Sequence, residues 1–103
     1  MVYKLIITEE AEELLDRIIF HLLYRIKNEQ AATHLLDGIN EIYNRLEDNP
    51  NQFPICKDQY LVHKGYKEAV VPDMNYLLIF KVEENRVYIM GVFHELEDYE
   101  NKL

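Results

Sequence analysis

The last ten residues of the chain contain the side chains best suited to chemistry. His94 follows an apolar run, and Asp98 and Tyr99 come shortly after it. Histidine titrates near neutral pH, so His94 could donate or accept a proton, and Tyr99 could donate one or stack on a planar ligand. A histidine at the end of a strand can also do no more than satisfy a backbone group. The spacing indicates a titratable cluster and leaves its role open.

The other histidines and the cysteine indicate no second reactive site. His21, His34 and His63 have no partner at metal-ligand spacing, and we interpret them as surface or boundary residues. Cys56 lies in an apolar context that is typical of a buried thiol rather than a nucleophile. The sequence has no CxxC, GxGxxG or P-loop motif. We therefore expect neither a metal nor a cofactor.

Composition predicts one small acidic domain over residues 1–103. The chain has 103 residues, an apolar content of 49% and a net charge of −8. An acidic excess of this size argues against broad, sequence-independent binding of nucleic acid. No apolar run reaches the roughly 18 residues of a membrane span, and the start lacks the features of a signal peptide. With a single cysteine and no internal disulfide, we expect a cytoplasmic protein.

The elements that must position the cluster begin with a strand and two helices. Residues 3–7 are β-prone, and Thr8 is a plausible N-cap for the first helix. Asn28 could cap a second helix, which Pro50 would end. Because the connection is short, the helices should pack antiparallel. The first apolar stripe has spacings of three and four and comprises Ala11, Leu14, Leu15, Ile18, Ile19, Leu22, Leu23 and Ile26.

Strands are predicted for the second half of the chain. Residues 49–65 read as an ordered loop with a short strand at 60–62. Further strands are predicted at 67–71, 76–82 and 87–93, and a short C-terminal helix at 95–103. The fold class is therefore α+β, a two-layer sandwich with an antiparallel helical hairpin packed on an antiparallel sheet. The first strand should join this sheet, whose other face should stay open to solvent or a partner.

In this order, the elements resemble those of the RelE/ParE superfamily, the toxins of bacterial type II toxin–antitoxin modules. The resemblance spans nearly the whole chain. It rests on residues 3–8 leading into Ala11, on 14–18, on Ala31-Ala32 opening the second helix, on 46–50 closing it, and on 75–82 and 92–99. These segments are generic one by one, and their order and spacing carry the resemblance.

The resemblance implies a growth-inhibiting toxin with a cognate antitoxin as its partner. One branch of the superfamily consists of ribosome-dependent endoribonucleases that cut mRNA, and another poisons DNA gyrase. The antitoxin should cover the exposed side of the helical hairpin or lie along a sheet edge. An acidic toxin suggests Lys or Arg contacts in the antitoxin near the first helix. A homodimer is a further possibility.

For a nuclease, the resemblance implies His94 and Tyr99 as catalytic residues, with Lys67 and Lys81 as the cations of the central strands. RNA cleavage by 2′-hydroxyl attack needs a base, an acid and cations around the phosphate. The chain departs from the nuclease pattern, because Glu68 and the acids of 95–97 stand where arginines are typical. The alternative is a protein of the same fold that acts only by binding, either on gyrase or as a degenerate toxin that pairs with an antitoxin.

Overall fold

The computed structural model describes residues 2–97, 99 and 103. Within residues 2–97, the strands form one four-stranded sheet in the order β1-β4-β3-β2. The strands are β1 (Lys4–Ile7), β2 (Tyr66–Val70), β3 (Tyr76–Glu83) and β4 (Arg86–His94). The last three form an antiparallel meander, and β1 pairs in parallel with β4 at one edge. The α+β class and the place of the first strand in the sheet are confirmed.

Helix α1 (Glu9–Phe20) begins where the sequence predicts, because Thr8 caps it. The Thr8 hydroxyl oxygen accepts a hydrogen bond from the Ala11 amide at 3.2 Å. The same hydroxyl donates to the Ile89 carbonyl at 2.7 Å, so the cap also joins the helix to β4. Acidic residues in the first turn complement the positive end of the helix dipole.

A π-helical turn, His21–Arg25, continues α1 and was not predicted. The Ile26 amide donates to the His21 carbonyl at 2.9 Å, a five-residue closure that adds a residue to the turn. The extra residue rotates the chain beyond it out of phase with the helix. Ile26, which the periodicity placed on the buried stripe, is therefore 55% exposed, and that part of the prediction is wrong.

Helix α2 (Glu29–Asp48) forms the second arm of the hairpin, as predicted. The Asn28 side chain caps it by accepting a hydrogen bond from the Ala31 amide at 3.0 Å. Asn49 is extended ahead of Pro50, which begins a short 3₁₀ turn, Pro50–Gln52. The buried face of the helix packs against the sheet and comprises Ala32, Leu35, Ile39, Ile42 and Leu46.

The strand predicted at 60–62 is wrong, since Gln59–His63 form a short helix, α3. The Asp58 carboxylate caps this helix by accepting hydrogen bonds from the amides of Tyr60 at 2.9 Å and Leu61 at 3.2 Å. Three β-prone residues cannot form a strand without a partner, whereas a capping aspartate satisfies a first helical turn locally.

Helix α3 and the loop before it cover part of the sheet face that was expected to stay open. Strand β3 is apolar on both faces, because its residues 77–80 are all buried. Leu78 and Phe80 face the helical hairpin, while Leu77 and Ile79 belong to a second cluster on the opposite face. A strand that is apolar on both faces needs cover on both. The second cluster consists of Cys56, Leu61, Tyr66, Leu77, Ile79 and Phe93.

After β4 the chain turns at Glu95 and Leu96, and the Glu97 amide donates to the His94 carbonyl at 3.0 Å. Asp98 and residues 100–102 of the predicted C-terminal helix lie outside the described residues. Within the described part of the chain, none of the helices has the length and apolar character that crossing a bilayer requires.

Candidate functional site

Strand register places the two predicted lysines on opposite faces of the sheet. Lys67 pairs with Phe80, whose side chain lies in the core under the helices. Lys81 pairs with Tyr66, which belongs to the cluster on the other face. Directly paired residues of an antiparallel sheet share a face, so Lys67 and Lys81 project in opposite directions.

Each lysine already has a local partner. The Lys67 ammonium donates to the Asn51 side-chain oxygen at 3.2 Å. The Lys81 ammonium lies 3.3 Å from the Glu83 carboxylate and 5.7 Å from the centre of the Tyr88 ring. Both lysines are half-buried strand residues, and these contacts satisfy their charged ends without a bound ligand.

His94 ends β4 and is held by the turn that follows. Its backbone amide donates to the Glu97 carboxylate at 2.9 Å, and its Nδ1 accepts a hydrogen bond from the Leu96 amide at 3.1 Å. Its ring meets the Tyr76 ring edge-on, with centroids 5.2 Å apart. Because Nδ1 accepts, the neutral ring carries its proton on Nε2. His94 can therefore donate a hydrogen bond through Nε2, while Nδ1 is occupied as an acceptor.

A cavity of about 410 Å³ lies between the end of α1 and the paired ends of β3 and β4. We call it the His94 cavity. Its polar lining includes Arg17, His21, Tyr76 and His94, above apolar side chains such as Val92. The sequence predicts a surface or boundary position for His21, which is exposed, and the fold brings it to the same cavity as His94. The only signal was that Arg17 and His21 are four residues apart and so share a helix face.

The charges in the His94 cavity are mixed. Arg17 lies 3.7 Å from Glu13 in an exposed pair, which is a weak interaction. Burial raises the pKa of Tyr76, and the negative charge of Glu97 raises it further. The Tyr76 hydroxyl thus stays protonated at neutral pH. The cavity offers hydrogen-bond donors and one arginine, together with a carboxylate that disfavours anions.

Tyr99 lies on the other side of the sheet. Its ring stacks on Phe93 with centroids 5.7 Å apart and an angle of 25° between planes. Phe93 belongs to the second cluster, so Tyr99 covers the face opposite the helical hairpin. It lines a separate cavity of about 250 Å³ together with Lys57 and Glu68.

The fold therefore disperses the four predicted site residues. His94 is in the His94 cavity; Tyr99 and Lys81 are on the other face. Lys67 shares a face with His94, but the two residues lie far apart. Lys67 pairs with Phe80 and His94 pairs with Tyr76, and these two partners are four residues, or about 13 Å, apart along β3. Catalytic roles for these residues stay predictions.

The buried polar residues near α3 favour structure over reactivity. Glu68 is only 4% exposed and accepts a hydrogen bond from the Lys57 amide at 3.0 Å. Burial raises the pKa of the Cys56 thiol to about 12, with further contributions from the charges of Glu68 and Asp58. Cys56 is a free, buried, neutral thiol, as its sequence context predicts. Among the described residues, no three His, Cys, Asp or Glu side chains are placed to hold a metal ion.

Comparison with known proteins places this fold in a family. A model of the ParE toxin of the type II toxin–antitoxin system parDE matches residues 5–99. A solved structure of the chromosomal ParDE toxin–antitoxin system from P. aeruginosa is similar, with a TM-score of 0.71 and 19% identity over 90% of this chain and 96% of that chain. At that identity, the likeness shows a shared fold. No curated protein sequence matches. Since the family model covers the sheet, both long helices and the His94 cavity, the chain belongs to the ParE family of type II toxins.

Proposed function

We propose that this toxin arrests growth by binding DNA gyrase rather than by cutting RNA. DNA gyrase is one of the two targets that the superfamily resemblance implies. The observation that carries it is the dispersal of the predicted nuclease residues. Lys67 and Lys81 point to opposite faces, and Tyr99 lies across the sheet from His94.

RNA cleavage requires those groups to converge. A base, an acid and at least one cation must all lie within hydrogen-bond distance of one ribose and its phosphate. Of the residues predicted for this role, the His94 cavity contains only His94. The Nδ1 atom of His94 already accepts a hydrogen bond from the Leu96 amide. It is therefore not available to take a proton from the ribose hydroxyl. A binding mechanism needs no such convergence.

A second candidate is an endoribonuclease that uses a different set of residues. The observation that favours it is the presence of His21, Arg17 and Tyr76 beside His94 in one cavity. Here a doubly protonated His94 would act as the acid through Nε2, which requires Nδ1 to give up its bond with the Leu96 amide, with His21 as the base and Arg17 as the cation at the phosphate. Glu97 in the same lining and the Arg17–Glu13 pair both weaken anion binding, so we place this candidate second.

Two assays on purified toxin distinguish these functions. We expect the toxin to inhibit DNA supercoiling by gyrase and to leave mRNA intact in a reconstituted translation reaction. His94→Ala and His21→Ala should inhibit as well as the parent, like the control His63→Ala, an exposed residue of α3. Cleavage of translated mRNA that both cavity variants abolish would establish the second candidate instead. Normal growth without an antitoxin, and no effect in either assay, would identify a degenerate member.

The antitoxin partner is proposed to bind through basic residues at α1. A cavity of about 360 Å³ has an apolar floor that includes Leu14, Met90 and Phe93, with the charged side chains of Glu10, Glu13 and Arg17 at its rim. Such a site suits a Lys or Arg, whose methylenes pack on apolar groups while the charged end reaches a carboxylate.

One sheet edge is a poorer site for the antitoxin. The backbone groups on the outer edge of β2 are already hydrogen-bonded to the loop before α3. The Cys56 amide donates to the Tyr66 carbonyl at 3.3 Å, and the Glu68 amide donates to the Pro54 carbonyl at 3.1 Å. An added strand there would have to displace these bonds. A site beside α1 is therefore favoured over an added strand at the β2 edge.

A further inference from the structure

The turn between the two long helices exposes large apolar side chains. Phe20 is 57% exposed and Tyr24 64%, and their rings contact each other with centroids 4.8 Å apart. Ile26 is exposed beside them because of the π-helical turn. We call Phe20, Tyr24, Arg25, Ile26 and Lys27 the hairpin tip. Single exposed apolar residues are ordinary, whereas three within seven residues form a patch that calls for an explanation.

The hairpin tip is also basic, in contrast to the rest of the chain. From Arg17 to Asn28 there are three cations, Arg17, Arg25 and Lys27, and no carboxylate. The whole chain carries −8 and this run +3, so the remainder carries −11. The first acid after the run is Glu29, which opens α2. Aromatic side chains and arginine at a projecting position are the residues that most often anchor protein interfaces.

Backbone geometry also sets the hairpin tip apart. A π-helical turn is rare and occurs disproportionately at functional sites. Lys27 adopts a left-handed conformation, with φ of 58°, where glycine would be less strained. Both features turn Ile26 and Lys27 outward. The left-handed Lys27 also ends the helix, because it lets the Asn28 amide donate to the carbonyl of the buried Leu22 at 2.8 Å.

We infer that the hairpin tip is the surface with which the toxin docks onto its cellular target, an apolar cleft edged by Asp and Glu on another protein. Phe20 and Tyr24 would fill the cleft, and Arg25 and Lys27 would meet its rim. The antitoxin is assigned elsewhere, since the acidic rim at Glu10 and Glu13 selects a basic segment. Nucleic acid fits less well, because the two cations of the hairpin tip neutralise few phosphates and the net negative charge of the rest of the chain opposes them. Anionic membranes are opposed by the same charge.

This inference deepens the proposed function but needs only that the chain arrests growth, whatever the target. The first test is Phe20→Ser with Tyr24→Ser, compared with Ile55→Ser with Tyr60→Ser. Each double variant removes one tyrosine and one apolar side chain, a phenylalanine at the tip and an isoleucine in the control. All four side chains are more than half exposed. We expect the tip variant to raise colony formation under induction at least tenfold, while its affinity for the antitoxin stays within about twofold. The control pair should change neither.

A second test changes charge without harming the fold. Lys27→Gly removes a cation where the backbone already favours glycine. The matched control, Glu84→Gly, removes an anion at a residue of the β3–β4 turn with the same backbone conformation, φ of 57°. We expect growth arrest to weaken several-fold for Lys27→Gly and to persist for Glu84→Gly. Circular dichroism should show both variants folded.

Several outcomes would overturn the inference. Full toxicity of both tip variants would remove the docking role, and an equal loss of antitoxin affinity would make the tip an antitoxin site. A wild-type dimer that Phe20→Ser with Tyr24→Ser converts to a monomer would assign the tip to self-association. Tip-dependent sedimentation with phosphatidylglycerol vesicles would assign it to lipid. If growth arrest depends on the tip but gyrase is unaffected, only the gyrase proposal fails; if the parent does not arrest growth, both fail.

Discussion

Individual side chains in this toxin are mostly committed to structure. The residue with the best chemical credentials, His94, is bound at its amide by Glu97 and at its Nδ1 by the Leu96 amide. Lys67 and Lys81 have their own partners in the strands and loops around them. These contacts explain the positions of His94, Lys67 and Lys81 without a substrate. Their contribution to stability can be measured separately from toxin activity.

His94→Ala should lower the free energy of unfolding by about 1 kcal/mol, because it removes the acceptor of the Leu96 amide. His94→Asn should lower it less, since the asparagine oxygen takes nearly the position of Nδ1. Urea denaturation of the three proteins measures the difference. Under the proposed function, growth arrest by His94→Asn equals that of the parent. Loss of toxicity in a stable His94→Asn variant would instead make His94 a catalytic residue.

Cys56 predicts a loss of stability at alkaline pH. Its thiol has a pKa of about 12 in the fold, raised by burial from an ordinary value of 9.0. Because the folded pKa is raised, the unfolded chain releases this proton first. The contribution is intact below pH 9 and is lost as the pH rises towards 12, at up to about 1.4 kcal/mol per pH unit.

The comparison that isolates this effect is between the parent and Cys56→Ala, each unfolded in urea at several pH values from 8 to 11. Burial also raises the pKa of Tyr43 and Tyr76, so the stability of both proteins falls with rising pH for this second reason. Cys56→Ala should therefore show the shallower dependence. Equal slopes would contradict the assignment.

At the scale of the elements, a close approach is visible where α2 meets the chain beyond β2. A Cβ on Gly38 would come within 2.7 Å of the Val71 Cγ1, and Val71 is fully buried. Glycine inside a helix normally costs about 1 kcal/mol relative to alanine. Here it allows the helix to pack against Val71, so the contact outweighs the propensity.

Gly38→Ala should therefore destabilise the fold by about 1–2 kcal/mol through overpacking, although alanine favours the helix. The sign should reverse in a Val71→Ala background, where the clash is removed and adding Gly38→Ala should stabilise by up to about 1 kcal/mol. A double-mutant cycle from denaturation curves measures this coupling. Additive effects would mean that the helix shifts to avoid the contact.

For the whole molecule, charge is distributed unevenly over the surface. Acidic side chains line the cavity along α1, while the hairpin tip is basic and apolar. Electrostatic complementarity affects specificity and rates of association more than it affects fold. One small domain thus presents surfaces of opposite sign, which suit two partners of different composition.

Reversing the acidic surface should weaken the antitoxin complex. Glu10→Lys with Glu13→Lys should reduce antitoxin affinity about tenfold, or about 1.4 kcal/mol. Complex formation by the parent should weaken as salt rises, whereas that of the variant should depend less on salt. Titration calorimetry at two salt concentrations measures both effects. The control Glu84→Lys, in the β3–β4 turn, should bind like the parent, and an unchanged Glu10→Lys with Glu13→Lys variant would exclude this surface.

Features that depend on local patterns can be predicted from neighbouring residues. The caps at Thr8 and Asn28, the stop before Pro50 and the hairpin of β3 and β4 follow from neighbouring residues, and the α+β class follows from their order. The strand predicted at 60–62 is wrong because the Asp58 carboxylate caps a helical turn there, which is also a local effect.

Which candidate residues meet depends on strand register and on packing between distant parts of the chain. Strand register set the opposite directions of Lys67 and Lys81, and the packing of α1 on β4 brought His21 to His94. The π-helical turn, which exposes Ile26, also breaks a periodicity that the sequence continues. Register and packing depend on partners distant in the chain. A side-chain pattern can therefore specify an element while leaving undetermined which of its faces meets which neighbour.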